Sequence, residues 1–133
     1  MLSLLFTRRK LLSDPARLGR WGQKQGERFL RRKGLRMLAR NFNCNTGELD
    51  LVMANPEDRS VVFVEVKTRA NENFTTAESC VTADKRRKIV STAKYFLASY
   101  KINNRPTQFD VVTVVLGKKG LPVIRHFEHA FIP

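Results

Sequence analysis

Three side chains have the types and spacing to do chemistry together. Asp50 lies in the run Gly47-Glu48-Leu49-Asp50-Leu51-Val52, and Glu65 and Lys67 lie in Val62-Phe63-Val64-Glu65-Val66-Lys67-Thr68-Arg69. Both runs have the Val, Leu and Phe content of strands. Residues two apart on a strand share a face, so Glu65 lies beside Lys67 and Glu48 beside Asp50, while Val62, Val64 and Val66 form a core face. Carboxylates gathered in one place repel each other and resist burial unless they are paired or bound to a metal. A hard divalent cation, Mg2+ or Mn2+, answers that difficulty, because it takes carboxylate oxygens and keeps waters for reaction. Lys67 would then hold the attacking water or steady charge on a scissile phosphate. The plainer alternative is a solvated edge strand with Asp50 salt-bridged to Lys67, an arrangement that contributes little.

Holding these groups together takes two adjacent strands. Glu48 to Met53 reads as one, 54–59 as a turn containing Asn55-Pro56, and Ser60 to Arg69 as the next. A turn centred on 54–59 sets Asp50 opposite Phe63 and diagonal to Glu65, with Cβ atoms under about 7–8 Å apart. Upstream, Asp14-Pro15 starts a helix, since Asp suits the N-cap and Pro the first turn. Leu18, Trp21, Gln25, Phe29 and Leu30 recur at helical spacing up to Lys33, and Gly34 stops the run. Gly22 and Gly26 each weaken that helix by about 1 kcal/mol relative to Ala, which marks a place of close approach to another backbone. Residues 35–43 read as a short strand, followed by a polar turn from Asn41 to Gly47. Residues 70–82 form a polar connection. Residues 83–101 make an amphipathic helix with Ile89, Ala93, Phe96, Leu97 and Tyr100 on one face. Gln108-Phe109-Asp110 leads into an apolar strand, Val111 to Leu116. A hairpin turn at 117–120 and a last strand from Leu121 to Phe127 follow. The order α-β-β-β-α-β-β describes an α/β fold, a three-layer-like sandwich with a central mixed five-stranded sheet flanked by helices. The division expected is an N-terminal arm, 1–14, loosely docked, and a single domain, 15–133.

Twenty-five Lys and Arg against twelve Asp and Glu give a net charge of +13, and the pI is about 10.6. Such an excess attracts polyanions, DNA above all, because each phosphate neutralised releases counterions. The basic residues expected to meet the phosphate backbone are Arg31, Arg32, Lys33, Arg69, Lys85, Arg86, Arg87 and Lys88, although the clusters also suit solvated helix ends. The two cysteines, Cys44 and Cys80, have no Cys-x-x-Cys or Cys/His neighbours, which argues against a zinc ribbon or a disulfide framework and points to a reducing cytoplasm. No apolar run approaches the ~18–20 residues of a membrane span, and the order of apolar and basic residues near Met1 is the reverse of a secretory signal.

The run Gly47-Glu48-Leu49-Asp50, followed by the Glu65-Val66-Lys67 strand, resembles the core of the PD-(D/E)xK nuclease superfamily. It is more closely similar to the YraN family of predicted bacterial endonucleases, relatives of archaeal Holliday-junction resolvases. The likeness extends from about Gly22 to Asp110, including Gly22-Gln23-Lys24-Gln25-Gly26-Glu27, the segment around Lys85 to Leu97, and Phe109-Asp110-Val111-Val112. It implies a restriction-endonuclease-like core and a metal-dependent DNA endonuclease acting on branched or junction DNA. Asp50 and Glu65 would be metal ligands, Lys67 would position or activate the nucleophile, Glu27 would bring a further acid to the catalytic site, and Glu48 would be a flanking ligand. A homodimer is implied because a four-way junction has two symmetry-related cleavage points. The chain departs from the pattern at Gln108, where an Arg is usual before Phe-Asp, and at Thr46, where a more flexible residue is common.

Other residues offer less. His126 and His129, three apart on a terminal strand, point to opposite faces and make a poor metal pair. Trp21 fits the buried helix face better than a stacking platform, and Phe74, just past the catalytic strand, is a candidate substrate contact. Two rival readings stand beside the nuclease: a non-catalytic DNA-binding protein that keeps the scaffold, and a basic ribosome-associated protein.

Overall fold

A computed structural model describes residues 8–71, 81–117 and 119–133. Phe74 and Cys80 lie outside the described residues. The first long helix, α1, spans Pro15–Arg32. Its N-cap, Asp14, has extended backbone and accepts the Arg17 N–H at 3.2 Å, with Pro15 in the first turn. It ends where Gly34, at φ 100°, takes the left-handed conformation that a side chain disfavours. Its buried seam is Gly22, Gly26 and Leu30, each four residues from the next. A Cβ at Gly22 would overlap the Thr68 side chain, whereas one at Gly26 would meet Val66 and Val112 at ordinary contact distances. The close approach is therefore to side chains of the sheet, not to another backbone. Of the expected arm, residues 1–7 lie outside the described residues. Residues 8–12 wind into a helical turn that docks through buried Leu11 and a 3.1 Å bond from Arg8 Nε to the Gly117 carbonyl.

Five strands follow: β1 (Arg36–Cys44), β2 (Gly47–Ala54), β3 (Val61–Arg69), β4 (Thr107–Leu116) and β5 (Pro122–Phe127), with helix α2 (Ala83–Ser99) between β3 and β4. They form one sheet in the order β1-β2-β3-β4-β5. Only the β3–β4 pair, joined through the helix, is parallel, so the sheet is mixed as expected. On one face Leu30 of α1 packs with Leu51, Met53, Val62, Val64, Val112 and Val114. On the other, Ile89, Ala93 and Phe96 of α2 pack with Val52, Phe63, Phe109 and Val111. Tyr100 departs from its expected place: it follows the last turn of α2 and is 59% exposed, although its ring touches Phe96 and Phe42.

The β2–β3 register also differs from expectation. Leu51 lies opposite Val64 and Val52 opposite Phe63, which carries Asp50 past Phe63 to the level of Glu65. The hairpin closes across Asn55 and Ser60 (Asn55 N–H to Ser60 O, 3.0 Å), with Arg59 in the left-handed region at φ 63°. The turn is thus centred one residue later than the Pro56 signal suggests. Within the paired stretch, residues 51–54 and 61–64, side-chain parity survives, because a two-residue change of partner keeps each residue on its own face.

Candidate active site

Asp50 sits where β2 and β3 part. Their pairing runs from Ala54–Val61 to Leu51–Val64, and the Val66 N–H beyond it bonds to Asp50 Oδ2 at 2.8 Å. Leu49 and Val52 belong to the α2-side core, whereas Leu51 and Met53 belong to the α1-side core. Strand alternation is therefore interrupted around Asp50, and its carboxylate fills the gap between the strands.

Glu65 is 8% exposed. Burial, followed by hydrogen bonding and charge repulsion from Asp50, pushes its carboxyl pKa up to about 8, while Lys85 and Lys67 pull the other way. Its Oε2 is buried without a hydrogen-bond partner, and Lys85 Nζ of α2 stands 3.7 Å away, too far for a bond. A void of about 10 Å³, the space of a single small occupant, is lined by Glu48, Asp50 and Glu65 together with Leu49 and Ile89. Two carboxylates in contact, an oxygen without a hydrogen bond and a small void beside them suit a hard divalent cation, which would satisfy that oxygen more closely than Lys85 does. Glu48 lines this void but is itself exposed.

On the α1 side, a cleft of about 900 Å³ leads to Asp50 and is walled by α1, β1 and β3, with Lys67 and Thr68 in its lining. Glu27 lines the same cleft, but its carboxylate is bound through both oxygens by Arg40, at 3.0 and 2.9 Å, with Arg31 at 3.6 Å. The Arg40 bond and charge hold the Glu27 pKa below the usual carboxylate range. Asp50, Lys67 and Glu27 are thus brought to one cleft, with Glu27 committed to an ion pair. Trp21, half-buried, packs against the α1-side core and also lines the cleft.

The expected phosphate-binding residues divide. Arg69 lines the cleft. Lys85 faces Glu65, Arg86 turns back to the Val81 carbonyl and the Phe131 ring, and Arg87 and Lys88 pair with Asp84. Arg31 joins Glu27, Arg32 is exposed, and Lys33 lies over the Phe29 ring and 2.9 Å from His126 Nδ1. Sequence reasoning misses Arg17, Arg20, Lys24 and Arg40, which line the cleft. Their signal is positional: Arg17, Arg20 and Lys24 recur at three- and four-residue spacing, on one face of a helix.

A second buried acid, Asp110, is organised differently. It is 1% exposed and accepts from Gln108 Nε2 at 2.9 and 3.1 Å, from His126 Nε2 at 2.7 Å and from the His129 backbone N–H at 3.0 Å. A lysine ammonium has only protons to give, so His126 Nδ1 accepts from Lys33 and Nε2 carries the ring proton to Asp110. Ligand atoms of Asp110, His126 and Glu128 lie within 4.8 Å of one another. Both Asp110 oxygens, however, already have donors, and the group ties β4 to β5 and α1. His126 contributes its ring to this group and His129 its backbone. At the two departures from the resembled pattern, Gln108 holds Asp110 directly, and Thr46 bonds Thr92 of α2 at 3.0 Å, fastening the β1–β2 turn.

Residues 22–114 match the model of the family described as Uncharacterised protein family UPF0102. The chain belongs to the UPF0102 family. A UPF0102 protein of Pelobacter propionicus is 37% identical over 118 residues, covering 89% of this chain and 84% of the relative. One from Clostridioides difficile is 37% identical over 113 residues, covering 85% and 95%, and one from Saccharophagus degradans is 42% identical over 106 residues, covering 79% and 84%. The matched segment of this UPF0102 chain contains Asp50, Glu65 and Lys67, and no described helix is long and apolar enough to cross a membrane.

Proposed function

We propose that this UPF0102 protein is a divalent-metal-dependent DNA endonuclease. The observation that carries the reading is the buried, unpartnered Oε2 of Glu65, set against Asp50 beside a small void and flanked by lysines. Asp50 and Glu65 would hold Mg2+ or Mn2+, with Glu48 near enough to contribute directly or through water. The bound ion would supply Lewis acidity toward a phosphate oxygen and acidify a coordinated water. The chain's own residues do the rest. The Val66 N–H fixes one Asp50 oxygen, the α2-side core holds Glu65 in place, and Lys67 meets the negative charge that grows on phosphorus as water adds and the bridging P–O bond breaks. The departing oxygen takes up a proton, so water is consumed and two strand ends result.

The test is cleavage of labelled four-way-junction, flap, single-stranded and linear duplex DNA with Mg2+ or Mn2+. Asp50→Ala and Glu65→Ala are expected to abolish cleavage while leaving DNA binding largely intact. A variant that still cuts at the wild-type rate removes that residue from the mechanism. Binding without products under either metal favours the non-catalytic DNA-binding protein.

A further inference from the structure

We infer that the cleft between α1, β1 and β3 is a groove for a single, unpaired phosphodiester strand, with Trp21 offered to a base. This deepens the nuclease reading and rests on it only for what lies at the end of the groove. Charge complementarity comes first. Arg17, Arg20, Lys24, Arg40, Lys67 and Arg69 line one cleft, and its acids are Asp50 at the base and Glu27, already neutralised by Arg40 and Arg31. Arg17, Arg20, Lys24 and Lys67 form no ion pair within 4 Å among the described residues, whereas Arg87 and Lys88 on α2 are paired with Asp84. The basic excess of the chain is therefore unspent here.

Size comes second. A cleft of about 900 Å³ stands near the upper end of the ~300–1,000 Å³ range of ligand pockets, room for a short run of one strand. Two paired strands would need about twice the space of one, so this volume favours a single strand. The third point is Trp21, half-buried, with one side on the core and a surface in the cleft. Cations that track a backbone, interleaved with an aromatic ring that any base can stack on, are what a sequence-tolerant single-strand site requires.

Trp21 is the chain's one tryptophan, so its fluorescence reports on this cleft directly. The full chain is titrated in EDTA with an eight-nucleotide thymidine strand, the corresponding uridine strand, and a blunt duplex. A saturable change in Trp21 emission with a single strand, absent with the duplex, is the expected result. The logarithm of affinity should fall with the logarithm of salt at a slope of about −2 to −3, as for three or four phosphates at about 0.7 each. Arg20→Ala with Lys24→Ala should reduce that slope by about 1.4 with the circular dichroism spectrum unchanged. A comparable response to the uridine strand assigns recognition to the shared backbone, and a response to thymidine alone assigns it to DNA. No saturable change with either strand, or an equal change with duplex, overturns the groove. Strand binding without cleavage under any metal leaves the groove standing and removes the nuclease; cleavage without a strand-dependent change at Trp21 does the reverse.

Discussion

Replacing Glu65 by Gln removes an ionisation that the fold disfavours, and its consequence can be worked out with its sign. The Glu65 carboxyl titrates at about 8 in the folded protein against 4.5 ordinarily. Between those values the unfolded chain has released a proton that the folded chain retains, so metal-free stability falls as pH rises from about 4.5 and levels off above about 8. At about 1.36 kcal/mol for each pH unit, the loss is on the order of 4–5 kcal/mol. At roughly 4 °C per kcal/mol for a domain of this size, the melting temperature should drop by about 15–20 °C. Melts followed by circular dichroism in EDTA from pH 5 to pH 9, wild type against Glu65→Gln, isolate this contribution, because every other titrating group is common to both. The difference between the proteins should grow in favour of Glu65→Gln toward high pH. Saturating Mn2+ should restore the wild type and leave the variant unchanged. Parallel curves across the range would mean that Glu65 is charged throughout, with Lys85 and Lys67 as sufficient counter-ions, and the argument for an unmet anion would fail.

Four further outcomes follow from the packing and the ion pairs. Gly22→Ala should destabilise by about 1–3 kcal/mol because its Cβ overlaps the Thr68 side chain. Gly26→Ala, with ordinary contacts to Val66 and Val112, should instead stabilise by up to about 1 kcal/mol through helix propensity; urea denaturation of both variants reads the opposite signs. Asp110→Ala should cost about 1–3 kcal/mol by leaving the Gln108 amide, the His126 ring N–H and the His129 backbone N–H without their acceptor, read in the same assay, while metal binding by the folded fraction is retained. Arg40→Gln should raise the Glu27 carboxyl pKa toward its ordinary value, since the Arg40 bond is the largest cause of its lowering; carboxyl NMR titration measures the change.

The element order is legible because the chain is locally consistent. Asp14-Pro15 is at once a cap and a helix start, and Val61 to Val64 bury both faces of a central strand. Each signal states its own outcome without reference to the rest of the molecule. The hairpin register is not legible in that way. Asn55 and Pro56 announce a turn, but its centre depends on whether Arg59 adopts a left-handed conformation, a choice made by the Asn55–Ser60 closure. The place of Gly22 and Gly26 is likewise a tertiary matter. A helix reader sees two weak residues, and only the sheet beneath shows that they form the seam.

The site divides along the same line. Period and residue type name Asp50, Glu65 and Lys67, but not their surroundings: Glu65 meets Asp50 at the small void, whereas Lys67 lines the cleft on the α1 side, because alternation breaks at Asp50. The roles of the basic residues are not readable from their runs. Four adjacent cations at the start of α2 point in different directions because successive helical residues turn by about 100°, so only Lys85 faces Glu65. Arg17, Arg20 and Lys24, never adjacent in sequence, fall on one helix face and share a cleft with Arg40 from β1. On a helix the unit of charge is the face, not the run. Burial makes the complementary point for the acids. Asp110 and Glu65 are both interior carboxylates on strands, yet four donor contacts surround the first and an oxygen of the second has none. That asymmetry separates an anchor from a candidate ligand, because folding has given one carboxylate hydrogen bonds on both oxygens and left an oxygen of the other approached only by Lys85 at 3.7 Å.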